Sequence, residues 1–224
     1  MKLGYSNRRN DAMTLTEVLV VVIVIAVLIF MILPTLMLPQ RRVAKINCRS
    51  NVRQIEIGFR IWEGDHGDKY PMQVSSAEGG ASELANKGDV VAIFQVMSNE
   101  LATPKVLICP ADTNGCYADN FCVNFGRTNV SYFVGLDATE ENTNSILVGD
   151  DNFAIKGEPV KPGVYELTST TPVAWTSERH HFSGYIVLAG GSWSTPTNSE
   201  LAGVIIKQYA GPSGFTNRFR IAIP

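Results

Sequence analysis

The chain has 224 residues, with 19 Lys and Arg against 21 Asp and Glu and a formal net charge of −2. Hydrophobic residues make up 45% and charged residues 18%, which supplies a packed core and excludes a disordered or collagen-like chain. The near-neutral balance argues against a nucleic-acid partner held by bulk electrostatics, and the length allows one domain with at most an appendage.

The first residues, 1–12, carry Lys2, Arg8 and Arg9 against Asp11. From Met13 to Leu38 the only charged side chain is Glu17, and 18–33 is an unbroken apolar run. A bilayer core takes about 20 mainly apolar residues as helix, so 13–38 is a membrane-span candidate. A lone strand in lipid would leave its backbone unsatisfied, so helix is expected despite the β-branched residues. Basic residues before a span hold that end in the cytoplasm, which places the rest of the chain outside it. A cleaved secretory signal would show a shorter apolar run and a small-residue site behind it, whereas this run ends in Leu38-Pro39-Gln40-Arg41-Arg42. Glu17 at the edge of such a span reads either as a wetted juxtamembrane carboxylate or as a functional group.

The stretch Ala12-Met13-Thr14-Leu15-Thr16-Glu17-Val18-Leu19-Val20 resembles the processing signal of type IV pilins and type II secretion pseudopilins, the PulG-like prepilins. The resemblance implies that 1–12 is a leader removed by a prepilin peptidase between Ala12 and Met13, with methylation of the new N-terminus. In that family a Glu stands five residues into the mature chain, as Glu17 does from Met13, and a helix proline falls near Pro34. Ala12 stands where the family has Gly, and Met13 where it usually has Phe. Glu17 would pair with the α-amino group of a neighbouring subunit, because an unpaired charge in a bundle of apolar helices is heavily penalised. The implied protein is a structural subunit and not an enzyme. It is held in the bacterial inner membrane by lipid, with its head in the periplasm. An assembly platform then adds it to a self-associating filament. An unprocessed, single-pass anchored binding domain is the alternative, and an anchored enzyme the third reading.

Beyond the apolar run, 39–63 reads as an amphipathic continuation, making one helix of roughly fifty residues that Pro34 and Pro39 kink or loosen. Val43, Ile46, Cys48, Val52, Ile55, Phe59 and Trp62 form its apolar stripe, with Arg49, Arg53, Glu56 and Arg60 opposite. Gly64, Asp65, His66 and Gly67 punctuate its end. The head, 64–224, reads as helix followed by strands. Asp89 is placed to cap a helix carrying Val90, Ile93, Phe94, Met97 and Leu101 on one side. Strands are expected at 131–136, 145–149, 172–176 and 185–189, and a late helix at 199–209. Short sequential strands favour an antiparallel sheet, so the fold class is α+β. The resemblance narrows it to a pilin-like fold.

Three further stretches resemble motifs of large pseudopilin-like proteins of planctomycetes and verrucomicrobia. They are Asn47-Cys48-Arg49-Ser50-Asn51-Val52-Arg53-Gln54-Ile55, Gly67-Asp68-Lys69-Tyr70-Pro71 and Cys109-Pro110-Ala111-Asp112. Arg179-His180 followed after nine residues by Gly190-Gly191 departs from that group, which has Asp-Gly in the second place.

Four cysteines, Cys48, Cys109, Cys116 and Cys122, all follow the apolar run. In an oxidising compartment disulfides are the default, and the favoured pairing is Cys48–Cys109 with Cys116–Cys122. A zinc site from Cys109, Cys116, Cys122 and His180 or His181 is the sharper rival, although the spacing matches no paired knuckle. A thiol hydrolase built on Cys109 and a histidine is weaker still. Asp65, Asp68, Asp112, Asp150 and Asp151 read as solvated loop carboxylates, with calcium the minor alternative. No D-x-[DN]-x-[DN]-G pattern is present, and no cofactor is expected.

Overall fold

A computed structural model describes residues 14–37, 40–168, 170–207 and 219–224. The expected processing pair Ala12 and Met13, the leader and Pro39 lie outside these residues. The chain divides into two compact units, Met1–Arg42 and Val43–Pro224.

In the first unit lies helix α1, Leu15–Met37, which contains Pro34. Thr14 and Glu17 close its first turn as a capping box. Glu17 Oε2 accepts from the Thr14 backbone N–H at 2.8 Å and from its hydroxyl at 2.9 Å, while the Glu17 N–H reaches back to Thr14 Oγ1 at 3.4 Å. The T-x-x-E spacing carries this signal in the sequence. Side chains of α1 are described as far as Met31, and all are exposed. Among the described residues, no helix is long and apolar enough to cross a membrane.

Helix α2, Gln40–Asp65, carries the second amphipathic stretch. The expected continuity of this helix with α1 turns on residues 38 and 39, which lie outside the described residues. The expected stripe is buried from Cys48 onward through Val52, Ile55, Phe59 and Trp62. Val43 and Ile46 are exposed, so docking begins one turn later than the sequence suggested. Glu56, placed on the polar face, is buried because Arg60 covers it as an i,i+4 partner.

Short helices follow: α3 at Ser82–Ala85, α4 at Val90–Val96 and α5 at Ser98–Leu101. The Asp89 side chain caps α4 by accepting from the Ala92 N–H at 3.2 Å, as expected. The single predicted helix is two pieces that meet at Met97, whose buried side chain stays in the core.

Nine strands are described: β1 Tyr132–Gly135, β2 Ile146–Asp150, β3 Phe153–Ile155, β4 Glu158–Pro159, β5 Gly163–Leu167, β6 Val173–Trp175, β7 Ile186–Leu188, β8 Trp193–Ser194 and β9 Phe219–Ile223. Helix α6, Asn198–Lys207, precedes the last strand. A six-stranded sheet runs β5-β9-β1-β2-β7-β8 and a smaller one β4-β3-β6, with every pairing antiparallel. The fold of the head is therefore α+β with an antiparallel sheet.

The central strand β1 is buried on both faces, and its alternation divides the core. Tyr132 and Val134 join the cluster that holds the α2 stripe, Tyr70 and Phe94. Phe133 joins the opposite cluster with Phe153, Trp175, Leu201 and Ile221. The small sheet and α6 supply that second layer.

Candidate functional site

The register of β1 against β2 sets Tyr132 directly opposite Asp150. Directly opposed residues point to the same face, here the face that receives α2. Cys48 arrives from α2 with its Sγ 3.4 Å from Tyr132 Oη and 3.4 Å from Asp150 Oδ1. From the loop before β1, Cys109 brings its sulfur to 3.2 Å from His180 Nε2. The same Nε2 lies 3.9 Å from Asp150 Oδ2. One donor atom from each of Cys48, Cys109, Asp150 and His180 lies within 4.8 Å of all the others.

The cluster is closed to solvent. Cys48, Cys109 and Asp150 are fully buried, and the His180 side chain is 2% exposed. The sequence places Asp150 among solvated carboxylates and gives no sign that His180 is interior. Both are interior because the β2 end and the 177–183 turn lie beneath α2. Asp150 Oδ2 accepts from the Tyr185 N–H at 2.7 Å.

An ion-pair frame holds the turn. Arg179 binds Asp112 Oδ2 at 2.9 Å and Asp151 Oδ1 at 2.6 Å, and donates to the Ser131 carbonyl at 3.2 Å. Ser131 Oγ donates to the same Asp112 oxygen at 2.7 Å. Asn51, one turn after Cys48, donates to the Ile108 carbonyl at 2.9 Å. The stretches around Cys48, Cys109 and Arg179-His180 thus form one assembly. Asp112 and Asp151, also read as solvated, are its buried anions.

Gly190 and Gly191 lie against other residues, Thr143 and the Glu56–Arg60 pair of α2. A side chain at Gly190 would meet Thr143 Cβ at 2.8 Å and Thr143 O at 2.9 Å. Gly191 has a φ of 76° and faces the Arg60 guanidinium. Position 190 has no room for the Asp that the resembling group places there.

Charge in the cluster is shared. A hydrogen bond with Cys48, and then His180, pull the Cys109 thiol down to about 5 against burial. Cys48 is pushed up by that hydrogen bond and by burial. Burial, with Cys109 next, pushes Asp150 up to about 7. For His180 burial disfavours the charge, but Cys109 and Asp150 outweigh it and its pKa rises.

All four cysteines are free. The expected Cys48–Cys109 pair is brought together, but its sulfurs engage Asp150, Tyr132 and His180 instead of forming a bond. Cys116 and Cys122 are exposed and outside the cluster. The predicted zinc set fails for the same reason, since Cys109 is grouped with Cys48 and not with Cys116 or Cys122. Nor is this a hydrolase relay: nucleophile and carboxylate face the same imidazole nitrogen, whereas a relay uses one nitrogen for each.

A second acidic group joins buried Glu63 to exposed Asp68 and Glu140. Burial, with Glu140 next, pushes Glu63 up to about 7.

No family model, curated protein or solved structure matches the chain.

Proposed function

We propose that the chain is a pilin-like structural subunit. It would be anchored by α1, processed between Ala12 and Met13 by a prepilin peptidase, and assembled through α1 into a type II secretion or type IV pilus-like filament. The observation that carries this reading is α1 itself, a helix of 23 residues that is apolar on every face and holds one carboxylate in its first turn. Such a helix needs lipid or other apolar helices around it. In the sequence the apolar stretch extends over 13–38, which meets the about 20 residues that a bilayer core takes. The α2 stripe docked on an antiparallel sheet fits a head carried by such a stalk, with the head outside the cytoplasm and α1 in lipid before assembly.

The capping box favours the second reading, an unprocessed anchored binding domain, because it gives Glu17 a partner within its own chain. Glu17→Gln separates the two. Gln also closes a capping box but carries no charge to pair with a neighbour's ammonium. On the filament reading, Glu17→Gln blocks assembly in a crosslinking assay while the head stays folded. The wild-type chain isolated from cells with an active prepilin peptidase then begins at methylated Met13 by intact mass. Normal assembly of Glu17→Gln, or recovery of the chain with 1–12 attached, supports the anchored domain instead.

A further inference from the structure

The geometry points to a structural zinc site: Cys48, Cys109, Asp150 and His180 bind one Zn²⁺ tetrahedrally and clamp α2 to the sheet. The inference does not depend on the filament reading.

Its first support is convergence. Tetrahedral Zn²⁺ with metal–ligand bonds of about 2.0–2.3 Å separates neighbouring donor atoms by roughly 3.3–3.8 Å. The observed separations are 3.2 Å from sulfur to nitrogen, 3.4 Å from sulfur to oxygen and 3.9 Å from nitrogen to oxygen. Three pairs thus lie near the spacing the ion requires, through the two Asp150 oxygens, and one donor atom from each of the four residues lies within 4.8 Å of all the others.

The second support is electrostatic. Asp150 is fully buried, and its carboxylate lies beside two thiols and one imidazole. Buried charges are paired or coordinate a metal, because isolated ones cost too much. A divalent cation offsets two of the three negative charges of Asp150 and the two thiolates, and leaves His180 as a neutral ligand. A Cys48–Cys109 disulfide would do the reverse, since it removes the Cys48 S–H that faces Asp150 Oδ1 and supplies no positive charge.

The third support is the shell around the ligands. The Tyr185 N–H holds Asp150 Oδ2, the Tyr132 hydroxyl lies against Cys48 Sγ, and the Ala111 N–H bonds the Cys109 sulfur. Such partners orient metal ligands and are characteristic of built sites. His180 is delivered by a turn in which His180, His181 and Phe182 have φ of 52°, 49° and 57°. Three successive left-handed residues other than glycine persist only where the surroundings over-determine them. Arg179 fixes one side of that turn, and a bond from His180 to a metal would fix the other.

Donor softness selects the ion. Two thiolates with an imidazole and a carboxylate in tetrahedral array favour Zn²⁺ over the oxygen-seeking Mg²⁺ and Ca²⁺. Burial and four protein ligands leave no open coordination position, so the site is structural, not catalytic.

The test is zinc stoichiometry of the full chain, purified reduced in detergent and reconstituted with Zn²⁺ alone. One zinc per chain is expected by elemental and native mass spectrometry. Replacement by Co²⁺ should give the visible bands of a tetrahedral thiolate site. Cys48→Ser with Cys109→Ser should reduce bound zinc to background, while Cys116→Ser with Cys122→Ser should retain it. Tyr132→Phe should weaken binding by about 10–100-fold. Should the double variant not fold, the wild-type chain still decides the matter: a chelator must lower its melting temperature and Zn²⁺ must restore it. The proposal is overturned by a reconstituted chain without zinc or by zinc retained without Cys48 and Cys109. A mass two hydrogens lighter with linked Cys48 and Cys109 peptides would also overturn it, as would loss of zinc on replacing Cys116 and Cys122.

Discussion

The two helices α1 and α2 follow one another in sequence but are held by different physics. In α1 every described side chain from Leu15 to Met31 is exposed, and the described polar contacts are those between Thr14, Thr16 and Glu17. In α2 one stripe is buried, and residues such as Cys48, Asn51 and Arg60 each reach a particular atom of the head. A helix of the second kind is fixed by its own chain. A helix of the first kind takes its stability from what surrounds it, so single side chains matter less than the overall apolar character.

Truncation of a large residue is the strongest way to break this contrast. Phe59 of α2 is fully buried and packs edge-on against Tyr70 and Phe94 at centroid distances of 5.9 and 6.2 Å. Phe59→Ala should destabilise the head by about 3–5 kcal/mol. Val24→Ala in α1 should leave head stability unchanged. Denaturant unfolding followed by tryptophan fluorescence measures both, and equal losses would erase the distinction between the helices.

A comparable loss is expected from Arg179→Ala. It strands Asp112 and Asp151, whose side chains are 6% and 14% exposed, without their cation. Breaking a buried pair from one side costs about 3–5 kcal/mol. Arg179→Lys should be intermediate, because a point charge does not span both carboxylates as the guanidinium fork does. If Lys were as good as Arg in thermal melts, the frame around His180 would be weaker than its geometry implies.

Gly190→Asp should have a smaller effect. It reinstates the Asp-Gly pair of the resembling group but drives a side chain into Thr143. Overpacking of this kind costs about 1–3 kcal/mol. Adding Thr143→Gly to this variant should recover part of the loss, and an additive result in the double-mutant cycle would locate the strain elsewhere.

Much of this organisation was legible in the sequence. The α2 stripe could be read because burial repeats with the helix period, and the α4 cap because Asp89 is a local signal. The Thr14–Glu17 capping box is equally local, a T-x-x-E signal that competes with the partner from another subunit expected for Glu17. Strands β5 and β9 escaped because Glu166 and Arg220 interrupt short apolar stretches. The cluster escaped for a different reason. Nothing local pairs Cys48 with Asp150 or Cys109 with His180, since these meetings follow from strand register and from the turn at 177–183. The sequence presented Asp150 as a polar residue after a strand, and only the docking of α2 over that strand end makes it interior.

The smallest expected effect depends on pH and probes the end of α2. Glu63 is 4% exposed, and its Oε1 has no hydrogen-bond partner among the described residues. Burial raises its pKa first, the neighbouring Glu140 next, and Asp68 adds a little, while Arg60 opposes them. The folded value is about 7 against an ordinary 4.5. A carboxyl raised on folding contributes stability that is full below its unfolded pKa and lost as pH rises through the folded one. Ionisation of Glu63 should therefore cost the head stability between pH 4.5 and about 7, with no further loss above that. Glu63→Gln stays neutral throughout. Its melting temperature relative to wild type should thus be nearly constant below the lower value, rise across the window and level off beyond it. The other titrating groups are common to both proteins and largely cancel in this difference. No α1 substitution should share the profile, because the groups that shift Glu63 are Glu140, Arg60 and Asp68. A difference that does not vary with pH would show that Glu63 is already solvated when folded, and that α2 loses its grip on the core before its last turn.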